Sequence, residues 1–307
     1  MLLNSFEFIF VFMPVVLAVF FILNHRGLSS ASRIWLLLCG LFYYSYWKLA
    51  YLPLLLASIC INYAIGRVLN AESLLQKQRC RLGVLWAGIG FNIGLLGYFK
   101  YFNFFITTIN NSFNANIGLL NIMLPLGISY FTFIQIAFLV AVYKRVTSES
   151  NILNYGMYVS FFPQLLSGPI VYHAEMMSQF MAPENRKLNY DNMMKGILLF
   201  SIGLFKKTVI ADNLALWAVQ GFDRAETLNF FEAWFTSLSY TFQLYNDFSG
   251  YIDMANGIAL LFNIRLPLNF NSPYKALSIQ DYWRRFHMTL IRFLRDHVFI
   301  PLGGSRK

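Results

Sequence analysis

The stretch FIFVFMPVVLAVFFIL, residues 8–23, carries no charge and is about as long as one helix needs to cross the hydrocarbon core of a bilayer. Apolar runs of similar length follow at residues 49–66, 82–99 and 117–142, with a shorter one at residues 34–47. Across all 307 residues, 57% are apolar and 12% are charged, against about 25% charged residues in an ordinary soluble domain. Because so few charges cannot cover a water-exposed surface, the sequence predicts an all-α integral membrane protein with several passes.

The net charge of +10 is distributed between the apolar runs rather than gathered on one face. Alternate loops hold the basic residues Arg26, Arg33, Arg67, Lys77, Arg79, Arg81, Lys144 and Arg145. The intervening loops hold only Lys48 and Lys100. By the positive-inside rule, the N-terminus lies outside and the basic loops lie in the cytoplasm. Topology therefore accounts for the charge, with the lipid bilayer as the partner and no nucleic acid.

Helix-breaking and charged residues interrupt the apolar runs of the second half. The interruptions are Pro163, Gly168 and Pro169 in residues 152–171, and Lys206 with Lys207 in residues 193–219. Broken helices at membrane depth occur where the backbone is buried in protein or lines a water-filled cavity. Residues 101–109 are a short aromatic run and predict a re-entrant or interfacial segment. One membrane-embedded domain accounts for residues 1–307.

Residues 234–262 form an apolar run that contains several polar side chains. They are Gln243, Asn246, Asp247, Ser249, Asp253 and Asn256. At helical spacing, Asn246, Asp253 and Asn256 share a face with small residues, and this pattern suits either helix packing or the lining of a cavity. Asp247 and Asp253 are six residues apart and point to different sides of a helix, so they are a weak acid/base pair. Buried carboxylates need partners, for which the arginines further along the chain are candidates.

Residues 280–298 predict a basic amphipathic helix. Its basic face holds Arg284, Arg285, Arg292 and Arg295, and its apolar face holds Trp283, His287, Leu290, Ile291 and Leu294. One interpretation is an interfacial helix bound to anionic lipid headgroups, with His287 buried in protein. The other is an arginine face that binds a phosphate-bearing or carrier-bound donor on the cytoplasmic side, with a desolvated His287 facing a cavity.

Motifs for metals and bound cofactors are missing from the sequence. Cys39, Cys60 and Cys80 show no CxxC spacing, and no HExxH, GxxxxGK[ST], GxGxxG after a strand, or GxSxG occurs. We therefore expect no bound metal. A transporter or flippase would share broken helices and buried carboxylates, but it normally shows an internal repeat, which this sequence lacks.

The stretch LPLNFNSPYKALSIQDYWRRFHMTLIRFLRDHVFIPLGG, residues 266–304, resembles the signature of the membrane-bound O-acyltransferases. The similarity is to the bacterial branch that contains alginate O-acetyltransferase and the D-alanyl transfer protein of teichoic acid synthesis. Three further blocks agree and are in the same order: FFPQLLSGPI at residues 161–170, GLFKKTVIADNLA at residues 203–215 and YNDFSGYIDMANG at residues 245–257.

The resemblance implies a helical bundle with broken, re-entrant and tilted helices around a central cavity, in the bacterial cytoplasmic membrane. It implies transfer of an acyl group, acetyl in particular, from a cytoplasmic thioester to a hydroxyl of an exported or cell-surface polysaccharide. The co-substrate would be acetyl-CoA or an acyl carrier protein, with no bound cofactor, and periplasmic or carrier proteins would be partners. Polysaccharide acetylation is favoured because the GLFKK and NFNSPY strings look closer to the alginate branch.

The resemblance also implies roles for individual residues. His287 falls on the signature histidine, which would take a proton from the attacking hydroxyl and return one to the leaving thiol. Arg284, Arg285, Arg292 and Arg295 would bind the donor. The residues Asn246, Asp247, Asp253, Asp281, Lys206 and Lys207 would be polar groups of the cavity or of the structure.

The sequence departs from the family pattern in three places. Family members carry a second histidine in a WHG motif, which this chain does not contain. Ala141 stands where an acidic residue is common, and Tyr172 with His173 stands where a basic residue often follows. We therefore expect the chain to be the N-terminal part of an acyltransferase and to be inactive alone. A catalytically incomplete membrane scaffold and D-alanyl transfer to teichoic acid remain the alternatives.

Overall fold

The computed structural model describes residues 1–120 and 122–305. It is 75% helical, and the residues it describes contain no strand, which confirms the all-α prediction. The chain forms two compact units. The first comprises Met1–Trp35, Ser167–Pro169 and Ser178–Arg292, and the second comprises Leu36–Leu166, Ile170–Met177 and residues 293–305.

The α-helices are numbered here in chain order. They are α1 (Met13–His25), α2 (Ser29–Ser45), α3 (Leu52–Leu69), α4 (Glu72–Leu75), α5 (Gln78–Leu96), α6 (Phe102–Phe113), α7 (Ile128–Tyr143), α8 (Ile152–Ser160), α9 (Phe162–Leu165), α10 (His173–Met181), α11 (Tyr190–Phe205), α12 (Asp212–Val219), α13 (Phe230–Leu261), α14 (Ile279–Arg285) and α15 (Met288–Leu294). π-Helical turns at Phe8–Phe12, Gly97–Tyr101, Lys206–Ala211, Gln220–Arg224 and Arg295–Phe299 adjoin these helices, and short 3₁₀ turns lie at Leu49–Tyr51, Pro183–Arg186 and Pro273–Lys275.

Three helical stretches of the described residues are long and apolar enough to cross a membrane: Phe8–His25, Leu49–Leu69 and Gln78–Phe113. They correspond to three of the predicted runs. Residues 101–109 do not form a separate segment, because α6 continues α5 through the π-helical turn at Gly97–Tyr101. An interfacial position for these residues stays a prediction.

The span predicted at residues 117–142 is too long, since α7 is the only helix among the described residues of that range. Pro125 disfavours helical geometry in the residue before it, and Gly127 adopts a left-handed conformation with φ +67°. A Cβ at Gly127 would lie 2.7 Å from the carbonyl oxygen of Leu165, so only glycine fits there. The helix therefore begins at Ile128.

The break predicted in residues 152–171 is confirmed: α8 ends at Ser160, α9 is one short turn, and the chain then leaves the helix. Side chains satisfy the freed carbonyls, because Tyr158 donates to Val171 O at 2.9 Å and Gln164 donates to Tyr158 O at 3.0 Å. Lys206 and Lys207, by contrast, do not break their helix. They begin the π-helical turn Lys206–Ala211, which joins α11 to α12.

The first unit is organised by the antiparallel packing of α11 against the 32-residue helix α13. Two glycine pairs form the contact, Gly196 with Gly257 and Gly203 with Gly250. A Cβ at Gly203 would lie 2.5 Å from Gly250 O, and one at Gly257 would lie 2.6 Å from Gly196 O. Small residues permit such close backbone approach between packed helices.

We predict that Gly203→Leu destabilises the protein, because no side chain fits between α11 and α13. Overpacking of this kind costs about 1–3 kcal/mol. The measurement is the thermal unfolding midpoint in detergent. The matched control is Gly90→Leu, since a Cβ at Gly90 meets nothing within 4 Å. Equal midpoints for the two variants would contradict the glycine contact.

Candidate functional site

Three lysine–aspartate contacts, made by Lys206 and Lys207, lie beside the glycine pair Gly203–Gly250. The Nζ of Lys206 is 2.6 Å from Asp253 Oδ2, and both side chains are about three-quarters buried. Lys207 Nζ lies 2.7 Å from Asp247 Oδ1 and 2.6 Å from Asp212 Oδ1. The expectation that arginines would pair with Asp247 and Asp253 is therefore wrong. The π-helical turn that begins at Lys206 directs the two adjacent lysines toward different carboxylates of α13. Asp247 and Asp253 are six residues apart and therefore lie on different sides of that helix.

The polar and small-residue face of α13 packs against α11 through Gly250 and Gly257. Asn246 is 9% exposed and donates to Phe242 O, one turn back in its own helix. Asn256 is 7% exposed. Helix packing is thus observed at the glycines, and a cavity-lining role for Asn246 and Asp253 remains a prediction.

The helix predicted over residues 280–298 is wrong because the chain breaks at Phe286 and His287, between α14 and α15. His287 has φ +49°, a left-handed conformation that is uncommon for a residue with a side chain. The break is stabilised by pairing with the segment before it. Asn271 N donates to Arg285 O and Met288 N donates to Asn269 O, both at 2.9 Å.

Asn269 determines the hydrogen bonding of His287. Its Oδ1 accepts hydrogen bonds from the backbone N–H and the hydroxyl of Thr289, at 3.0 and 2.9 Å, and those two donors fix the orientation of the amide. The same oxygen lies 3.1 Å from His287 Nδ1. Since an amide oxygen only accepts, Nδ1 carries the proton and Nε2 presents a lone pair. Sequence reasoning did not select Asn269, whose only signal is a polar residue in the run LPLNF.

The surroundings of His287 keep its imidazole neutral. The side chain is partly buried, and the ring of Phe248 from α13 packs edge-on against it at 4.9 Å. Phe270 in turn contacts Phe248 and Phe286. Burial disfavours the charged form and lowers the pKa of His287 to about 4, in a segment outside the membrane-spanning stretches.

The break in the helix also separates the predicted arginine face into parts. Arg284 and Arg285 end α14, whereas Arg292 belongs to α15 and Arg295 begins the π-helical turn after it. Arg285 Nε lies 2.9 Å from Asp281 Oδ2, and Arg295 Nε lies 2.8 Å from Asp296 Oδ1. Arg284 is exposed and makes no hydrogen bond or ion pair with the described residues.

A second histidine is buried in the other unit. His173 is 3% exposed, and its Nδ1 lies 2.9 Å from Thr147 Oγ1 while its Nε2 lies 3.6 Å from Glu149 Oε2. Among residues 1–120 and 122–305, no group of three or more His, Cys, Asp or Glu is placed to hold a metal ion.

We predict that Lys206 and Asp253 are energetically coupled, since removal of one partner leaves a mostly buried charge unpaired. Lys206→Met and Asp253→Leu should each lower the thermal unfolding midpoint. The double variant should lose less stability than the sum of the two, with a coupling of about 1–3 kcal/mol. The control is the same set of two single variants and one double variant at Lys195 and Asp191, an exposed pair at 2.6 Å. Its coupling energy should be below about 1 kcal/mol. If the stability lost by the double variant equals the sum of the losses of Lys206→Met and Asp253→Leu, the two side chains are not energetically coupled.

Comparisons with known proteins agree with the resemblance in the sequence. The sequence model of the membrane-bound O-acyltransferase family matches residues 95–307. The whole chain is 48% identical to a peptidoglycan O-acetyltransferase of Helicobacter pylori, of which it covers 62%. It is 35% identical to a probable alginate O-acetylase of Pseudomonas aeruginosa, of which it covers 58%.

A more distant similarity links the chain to a teichoic acid D-alanyltransferase of Bacillus subtilis, at 28% identity over 59% of this chain and 46% of that protein. The chain thus spans about 60% of the length of the first two relatives. From the family match over most of its residues, the chain belongs to the membrane-bound O-acyltransferase family.

Proposed function

We propose that this protein transfers an acetyl group from a cytoplasmic thioester to a hydroxyl of a cell-envelope polysaccharide, with His287 as a catalytic acid and base. The observation that carries the proposal is the hydrogen bond between His287 Nδ1 and Asn269 Oδ1. It leaves Nε2 of a neutral imidazole available to accept a proton.

The reaction needs one group that accepts and then returns a proton. His287 Nε2 takes the proton of the acceptor hydroxyl as its oxygen attacks the thioester carbonyl carbon. The tetrahedral intermediate then breaks its carbon–sulfur bond, and the imidazolium gives the proton to the departing sulfur, so that an ester and a thiol form. Asn269 holds the ring in the required tautomer and is a positioning residue.

The names of the relatives support a proposal for the class of acceptor. The sequence alone favoured the alginate branch, but identity is 48% to the peptidoglycan O-acetyltransferase and 35% to the probable alginate O-acetylase. We therefore propose peptidoglycan as the acceptor. D-alanyl transfer is the second candidate. Its support is the similarity to the teichoic acid D-alanyltransferase, which at 28% identity is weaker than the similarity to the two relatives above.

The donor is proposed to be acetyl-CoA or an acetylated carrier protein, used as a co-substrate. Arg284 is the strongest candidate for a contact with the phosphates of either donor, because its guanidinium is exposed and makes no ion pair or hydrogen bond with the described residues. Arg285, Arg292 and Arg295 are proposed to contribute to the same contact.

The membrane arrangement belongs to the same proposal. The basic loops support an N-terminus outside the cytoplasmic membrane and a donor side in the cytoplasm. We propose that the two units act as one membrane-embedded domain of a multi-pass bundle, with a cavity that joins donor and acceptor sides. Carrier or periplasmic proteins would deliver the two substrates.

We predict that His287→Ala lowers acetyl transfer by about a hundredfold or more in the protein with all family segments, while the amount of protein in the membrane stays unchanged. The assay is transfer from radiolabelled acetyl donor to peptidoglycan. Asn269→Ala should lower kcat less than His287→Ala and should leave the KM for the donor unchanged. The imidazole of His287 is still present in this variant but has lost the hydrogen bond that orients it.

The control is His297→Ala, which removes an imidazole from the same region of the chain and should retain activity. Near-normal transfer by His287→Ala would contradict the proposal. Transfer of D-alanine rather than acetyl by the wild type would replace the first candidate with the second.

A further inference from the structure

A cavity of about 1010 Å³ lies within the first unit, between α1 and the segment that leads into α11. One part of its wall is apolar and comprises Leu17, Ala18, Phe21, Ile22, Leu188 and Met193. The other part is basic and comprises His25, Arg26, Arg186 and Lys187. The cavity lies apart from His287, which does not line it.

The basic part of the wall has no acidic counterpart, since none of the described lining residues is Asp or Glu. The side chains of Arg26 and Lys187 make no hydrogen bond or ion pair with the described residues. Arg186 uses Nη2 to donate to Met181 O at 3.1 Å and keeps its other donors. Three positively charged side chains, Arg26, Arg186 and Lys187, thus line the cavity. Most of their N–H groups remain available to donate hydrogen bonds to a ligand.

The position of the cavity relates it to the membrane. Leu17 and Phe21 belong to the membrane-spanning stretch Phe8–His25, and Arg26 follows its last residue. From Leu17 to Arg26 the helix rises about 13 Å. The wall therefore runs from hydrocarbon depth to the polar interface at the basic end of the span, where the positive-inside rule places the cytoplasmic leaflet.

We propose that this cavity binds one anionic phospholipid of the cytoplasmic leaflet. The phosphate interacts with Arg26, Arg186 and Lys187, because guanidinium groups form charge-assisted hydrogen bonds with phosphate oxygens. An acyl chain lies along Ile22 and Leu188, where it covers apolar surface that is otherwise exposed. The volume is at the upper end of the range for small-molecule pockets, which suits a headgroup together with the upper part of its chains.

A bound lipid would join α1 to Pro183–Arg186 and the start of α11, which are contributed by distant parts of the sequence. The expected consequence is a gain in thermal stability that depends on lipid charge, because a ligand that binds only the folded state stabilises it by mass action. The site is separate from the proposed acetyl transfer, so either can fail without the other.

The test uses the protein purified from membranes in a neutral detergent. Native mass spectrometry measures retention of phosphatidylglycerol and of zwitterionic phosphatidylcholine, and a thermal scan measures the midpoint with each lipid and with inorganic phosphate. The charge variant is R26Q with R186Q, and the matched control is K77Q with R79Q, which removes two charges from another basic loop. A18W narrows the apolar part of the cavity and leaves its charge unchanged, and I22W repeats that test if A18W does not unfold cooperatively.

The expected result is preferential retention of one phosphatidylglycerol, weakened about tenfold by R26Q with R186Q and by A18W, and unchanged in the control. Inorganic phosphate should not raise the midpoint. Equal retention of both lipids, an equal loss in the control, or undiminished retention in A18W would overturn the proposal. Stabilisation by inorganic phosphate alone would show that the cavity is a site for a free anion. If the purified protein retains no lipid, something other than a lipid occupies the cavity.

Discussion

The close contact between α11 and α13 is the constraint on which the first unit depends. Where Gly203 meets Gly250, the two backbones approach to a distance that leaves no room for a Cβ. Close packing of the two backbones and the polar contacts beside it stabilise this helix pair. The glycine contact brings Lys206 within 2.6 Å of Asp253, and each charge then compensates the burial of the other.

The region around His287 follows from a second constraint, the left-handed turn that separates α14 from α15. The turn lets the segment around Asn269 pair with the backbone on both sides of His287. It also places the Phe248 ring of α13 against the imidazole. A strained backbone of this kind persists only where neighbouring contacts determine it, and such positions are frequent at functional sites.

The sequence was most informative where composition and helix breakers act locally. Apolar runs predicted the spans at Phe8–His25 and Leu49–Leu69, and proline and glycine predicted the break after Ser160. It was least informative where distant segments decide the geometry. The turn at His287 depends on backbone pairing with Asn269 and Asn271, so the periodicity of residues 280–298 indicated one continuous helix. Likewise, the lysine partners of the aspartates depend on the π-helical turn at Lys206, which has no sequence pattern of its own.

The central claim is that His287 is a neutral imidazole with its proton on Nδ1. The most direct measurement is ¹⁵N NMR of the histidine side chains in the purified, selectively labelled protein, with the His287 signals assigned by their absence in His287→Gln. At pH 7, Nδ1 should be protonated and Nε2 unprotonated, and this state should persist until the pH approaches the lowered pKa of about 4. The opposite tautomer, or an imidazolium that forms near pH 6.5, would contradict the account.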